Sequence, residues 1–136
     1  MDIFYEEDKT YFDLLNEKTN FLFVGEAGSG KSEIVLNTAV WLAQNNKKPV
    51  HVYDMDQSKP LFRSRDLAET FVRKGVNIHF QEQYLDAPSV VGGVQASLMR
   101  DEYTILDIGG GDSAARVAGV FSHILKEDNA APIYVV

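Results

Sequence analysis

The chain contains no cysteine, so disulfides, thiolate zinc sites, iron–sulfur ligation and cysteine nucleophiles are all excluded. It is short of basic residues, with 13 Lys and Arg against 20 Asp and Glu and a formal net charge of −7. That balance makes nucleic acid an unlikely partner for the surface as a whole, because such binding rests on neutralising phosphates. It is compatible with a local basic patch at a nucleotide site. No apolar run approaches the roughly 20 residues needed to cross a bilayer, so no membrane span is expected. The chain starts Met1-Asp2-Ile3-Phe4-Tyr5-Glu6-Glu7-Asp8, unlike a secretory signal, and the expected compartment is the cytoplasm. There are no repeats, low-complexity tracts or Pro- and Ser-rich linkers, so residues 1–136 read as a single domain with room for its own core.

What the chain does have is the stretch Gly25-Glu26-Ala27-Gly28-Ser29-Gly30-Lys31-Ser32. It lies between the apolar run Phe21–Val24 and a helical pattern from Glu33 to about Gln44. This is the G-x-x-x-x-G-K-[ST] pattern in the strand–loop–helix setting it requires. Glycines let backbone N–H groups turn inward around a phosphate chain, with the N-terminus of the next helix behind them. Lys31 would reach the outer phosphates and the Ser32 hydroxyl would hold Mg²⁺. The expected ligand is therefore a nucleoside triphosphate with Mg²⁺, cradled by Gly25, Glu26, Ala27, Gly28, Ser29, Gly30, Lys31 and Ser32.

The rest of the chain alternates strand and helix patterns. Residues 1–19 form an acidic lead-in, in which Tyr11, Phe12, Leu14 and Leu15 suggest a short amphipathic helix on the domain edge. The helix after the glycine loop is apolar nearly all round, which predicts burial between the sheet and other helices, with Trp41 in the core. Val50–Tyr53 is a strand that runs into Asp54-Met55-Asp56. A helix follows with Leu67, Ala68, Phe71 and Val72 on its apolar face, closed by Lys74-Gly75. Val76–Phe80 alternates with period two, as an edge or half-exposed strand does. His51 and His79 fall within strands and read as structural. A helix is expected over 89–100, interrupted early by Gly92-Gly93, then a strand over Tyr103–Leu106 ending in Asp107-Ile108-Gly109-Gly110-Gly111. A last helix over 112–126 and a fifth strand over Pro132–Val136 complete the pattern. The alternation predicts an α/β fold, three layers with a mainly parallel sheet of about five strands and right-handed crossovers. A chain stopping inside an apolar strand suggests the N-terminal part of a longer domain, or a minimal version of the fold.

Three strand ends therefore converge on one crevice. In open α/β sheets ligands sit beyond the carboxyl ends of the strands. Asp107, at the end of an apolar strand, is placed to hold Mg²⁺, and the glycines after it would let the backbone approach the γ-phosphate. Hydrolysis of a phosphoanhydride needs charge stabilisation, a metal and an oriented water more than covalent chemistry. Asp54 and Asp56 point alternately along an extended chain, so one of them faces the nucleotide. Lys59, Arg63 and Arg65 are either solvated residues of a loop and helix start or a clamp on phosphate.

The order of glycine loop, Asp54-x-Asp56-Gln57 and Asp107-x-x-Gly110 over residues 20–136 resembles the MinD/ParA branch of the P-loop ATPases, of the nitrogenase-iron-protein type. The resemblance implies a P-loop NTPase fold and a Mg²⁺-dependent ATPase that acts as a switch, on a partner protein or as a homodimer. It implies a water-orienting role for Asp56 beside Lys31, a metal-side role for Asp54, and a Walker B and switch role for Asp107 and Gly110. At the second loop position, where that branch carries a lysine shared across a dimer, this chain has Glu26, so the shared lysine does not carry over. Two other functions suit the loop: a small-molecule kinase, and a nucleotide-binding module without turnover. The arginine-rich lid usual in such kinases has no counterpart between Arg116 and Val136, where the only Lys or Arg is Lys126. No Asn-Lys-x-Asp guanine-recognition motif occurs, and ATP is the expected nucleotide.

Overall fold

The apolar runs of the sequence become the strands of one sheet. The computed structural model describes residues 3–4, 11–26, 28–54, 65–80, 97–109, 119 and 129–135. Along them run β1 (Ile3–Phe4), α1 (Tyr11–Glu17), β2 (Asn20–Gly25), α2 (Lys31–Asn45), β3 (Val50–Asp54), α3 (Arg65–Arg73), β4 (Val76–Phe80), β5 (Tyr103–Gly109) and β6 (Ala130–Val135). The sheet order is β1-β6-β2-β5-β3-β4. The five strands from β6 to β4 are mutually parallel, as expected for an α/β fold, and β1 adds an antiparallel edge. This last strand lies in the acidic lead-in, where two paired residues leave no periodicity to detect.

Burial explains why β2 and β5 are mainly apolar. A parallel strand covered on both faces has no wet side for polar residues. Phe21 and Phe23 are fully buried, and every residue of β5 is buried. Strand β5 continues past the expected end at Leu106 to include Asp107, Ile108 and Gly109. Strand β4 sits at the sheet edge among the described residues, in line with its period-two pattern.

Helical segments lie on both faces. On one, Val35, Ala39 and Leu42 of α2 and Phe71 of α3 pack on Phe21, Phe23, Val50, Val52, Ile78 and Ile105. On the other, Ser97 hydrogen-bonds Thr104 at 2.7 Å and Asn20 Nδ2 donates to the Leu98 carbonyl at 2.8 Å. Those bonds hold the helical residues 97–99 against the start of β2 and β5. The helix expected over 89–100 is described only there, and the one over 112–126 lies outside the described residues apart from Gly119.

Two details differ from the sequence reading. Helix α2 is not enclosed all round: Glu33, Asn37 and Gln44 are exposed, and Trp41 is half-buried against Phe12 with ring centroids 5.3 Å apart. The buried stripe of α2, Val35, Thr38, Ala39 and Leu42, faces the sheet and α1. In α3, Phe71 is buried but Val72 is exposed, so the apolar face is narrower than expected. The helix does close at Lys74-Gly75, where Gly75 adopts φ 88 and donates to the Val72 carbonyl at 3.0 Å.

His51 and His79 join neighbouring strands. Their rings stack at 5.3 Å with His51 Nδ1 and His79 Nε2 3.0 Å apart, and His79 stacks on Tyr53 at 4.4 Å. His51 Nε2 also lies 3.1 Å from Glu102 Oε2. Burial, and secondly the neighbouring His51, push the His79 pKa down to about 4.

Candidate functional site

Topology marks the crevice before any side chain does. In the sheet order β3 lies beyond β5 from β2, and β6 lies beyond β2 from β5, so the chain steps in opposite directions from these two neighbouring strands. Two adjacent strands whose connections depart in opposite directions open a cleft at their carboxyl ends, the usual ligand position in such sheets. Gly25 closes β2 there, directly opposite Gly109 at the end of β5.

The glycines at this point have separate reasons. A Cβ on Gly25 would stand 2.8 Å from the Val135 carbonyl oxygen and 2.9 Å from Ser29 Oγ, so β6 and the loop close on a position with no room for a side chain. Gly28 and Gly30 take φ 86 and 82, in the left-handed region that other residues enter at a cost. The Ser29 amide donates to the Glu26 carbonyl at 3.2 Å, tightening the turn between them. Gly30 is the N-cap, without a side-chain cap, and Ile34 makes the first helical bond back to it at 3.3 Å. Helix α2 thus begins at Lys31, two residues before the apolar period that predicted Glu33. Amides at a helix start have no intrahelical acceptor and, with the helix dipole, favour an anion in front of them.

Lys31 and Ser32 are therefore first-turn residues, and both are buried. Their side chains turn towards β5. The Lys31 ammonium forms an ion pair with Asp107 Oδ1, and the Ser32 hydroxyl donates to Asp107 Oδ2 at 3.4 Å. Lys31 is 3% exposed and Asp107 1%, so the pair is shielded from screening by solvent. Asp54 is the register partner of Asp107 on the adjacent strand and is also 1% exposed. In-register residues of parallel strands point to the same face, so the two carboxylates are side by side under the start of α2.

The structure thus brings together Gly25, Gly28, Ser29, Gly30, Lys31, Ser32, Asp54 and Asp107. Glu26 lies in the same loop with its side chain exposed. Ala27, Asp56, Lys59, Arg63 and Gly110 lie outside the described residues, and Arg65 is described only as the first residue of α3. The donor set of Ser32, Asp54 and Asp107 is all oxygen, which fits Mg²⁺, an ion held through one or two carboxylates, waters and substrate phosphates.

Two features carried no sequence signal. Residues 31 and 107 are 76 positions apart, and nothing local to either announces their pairing. The contact of Val135 with Gly25 likewise depends on β6 lying beside β2. Away from this crevice, Tyr11, Phe12, Leu15, Ile34, Asn37, Thr38 and Trp41 line an apolar pocket of about 220 Å³ between α1 and α2. Burial raises the Tyr11 phenol to about 12, against the opposing effect of its hydrogen bond with Thr38, so it is neutral there. The chain matches no protein-family model and no curated protein. Among the described residues, no helix is long and apolar enough to cross a membrane.

Proposed function

We infer that the protein is a Mg²⁺-dependent ATP-binding protein of the P-loop NTPase type, similar to the MinD/ParA branch and acting as a nucleotide-dependent switch on a partner protein. The observation that carries this reading is the meeting of Lys31, Ser32 and Asp107, with Asp54 beside them, at the mouth between β2 and β5. An ammonium, a hydroxyl and carboxylates at a helix start are the groups that a triphosphate and its metal require. Lys31 contacts the outer phosphates, the loop amides surround them, and Ser32, Asp54 and Asp107 would hold Mg²⁺. The metal supplies charge neutralisation on the phosphates when bound. Asp56 orients the attacking water, and Gly110 approaches the terminal phosphate. The order of the segments that follow Asp54 and Gly109 then reports the nucleotide state to a partner.

Isothermal titration calorimetry with ATP and Mg²⁺ tests the binding. Lys31→Ala is expected to lose detectable affinity, and Asp56→Asn to keep it while phosphate release slows by at least tenfold. ATP binding to Lys31→Ala at parental strength would overturn the assignment of the loop.

A further inference from the structure

Lys31 and Asp107 are assigned to different parts of a ligand, yet in the structure they hold each other. The Lys31 ammonium lies on Asp107 Oδ1, Ser32 donates to Oδ2, and both ends of the ion pair are almost wholly buried. Asp54 adds a second buried carboxylate in register on the neighbouring strand. In the closed pair Lys31 and Asp107 are turned to each other, each giving part of its bonding capacity to the other.

We propose that the Lys31–Asp107 ion pair is a latch that admits a triphosphate only as its divalent-metal complex. This rests on the reading of residues 25–32 as the triphosphate loop. A phosphate chain arriving alone draws Lys31 away and leaves two adjacent buried carboxylates without that ammonium. Uncovering a buried charge in this way is strongly unfavourable, and more so beside a like charge. A triphosphate that brings its own divalent cation exchanges both partners together. Lys31 passes from carboxylate to phosphate, and the cation takes its place at Asp107. No covalent bond is made or broken, and a positive charge stays beside the two aspartates throughout. Asp107 therefore acts against metal-free nucleotide as well as for the metal complex.

Two variants of the full chain separate these cases. Asp107→Asn keeps the shape and an acceptor for Ser32 but removes the charge that holds Lys31. Titrated with ATP in EDTA, it is expected to bind at least tenfold more tightly than the parent. An unchanged affinity overturns the latch. The second arm needs no nucleotide. Lys31→Ala removes the ammonium, so the Asp54–Asp107 pair is expected to take Mn²⁺ alone at least tenfold more tightly than the parent, read by electron paramagnetic resonance. The double variant Lys31→Ala/Asp107→Asn is expected to lose that gain. No gain in Lys31→Ala overturns the latch even if ATP binds. Failure of both the parent and Asp107→Asn to bind ATP in any form overturns the nucleotide reading instead, and the Mn²⁺ arm still judges the pair. Circular dichroism on each variant identifies one that has not folded, in which case the other arm decides.

Discussion

At Gly25 the absence of one methyl group decides whether β6 can lie beside the loop. An alanine there would press its Cβ against the Val135 carbonyl and Ser29 Oγ at 2.8 and 2.9 Å, and the first of these is backbone that cannot rotate away. Gly25→Ala is therefore expected to destabilise the fold by about 1–3 kcal/mol, seen as a lower urea midpoint with an unchanged slope. An unchanged midpoint would mean that β6 shifts at little cost. The sequence pattern named this glycine as part of a phosphate loop, but the steric reason for it comes from residue 135, far along the chain. The same holds for Lys31: its type and its place before Ser32 were legible, whereas its partner was not. Asp107 was expected to serve a metal, and only the packing of α2 over β5 shows it also holding the lysine.

Whole elements were legible where one period dominated. The mainly apolar stretches of β2, β3 and β5 predicted strands, and the boundaries moved by only a few residues. Such boundaries depend on hydrogen bonds that extend as far as a neighbour is available, which is why β5 runs on to Gly109 beside Gly25. Helix α2 was harder, since apolar residues on several sides hid which stripe meets the sheet. Helix α3 ends as its Lys74-Gly75 signal required. Gly75 has φ 88, and a Cβ on it would also lie 3.2 Å from that of Ala43 on α2. Gly75→Ala is expected to cost about 1–2 kcal/mol, mostly from the left-handed backbone. Hydrogen exchange should show the loss as faster opening of α3 and β4 than of β2. Uniform loosening of the whole sheet would contradict a local cause.

On the scale of the whole molecule, the edge strand is tied to the sheet by a histidine that responds to acid. His79 faces His51 and Tyr53 on β3, and Glu102 just before β5 faces His51 in turn. The folded pKa of His79, about 4, lies below the ordinary value of 6.5, so the unfolded chain binds the extra proton between those limits. Its contribution to stability is full above about pH 6.5 and is lost as pH falls towards 4. Thermal melts across that range should show a falling midpoint, with a flatter slope in His79→Phe, which keeps the stack on Tyr53 but cannot titrate. An equal slope in both proteins would place the acid sensitivity elsewhere. The sheet order has a comparable global consequence. Because β5 inserts between β2 and β3, Asp107 is flanked by Phe23 on one side and Asp54 on the other.

By itself the sequence determined the α/β alternation, the parallel strands and the composition of the loop from Gly25 to Ser32. Each of these is written in local periods and in residue types whose backbone freedom or side-chain chemistry acts over a few positions. Tertiary structure decided which strand lies next to which, and therefore that Gly25 meets Val135, that Asp54 stands beside Asp107, and that Lys31 is held by a carboxylate 76 residues away. Those pairings arise from crossover connections and sheet order, which bring distant positions into register and bury them together, and no local pattern in the chain encodes that distance.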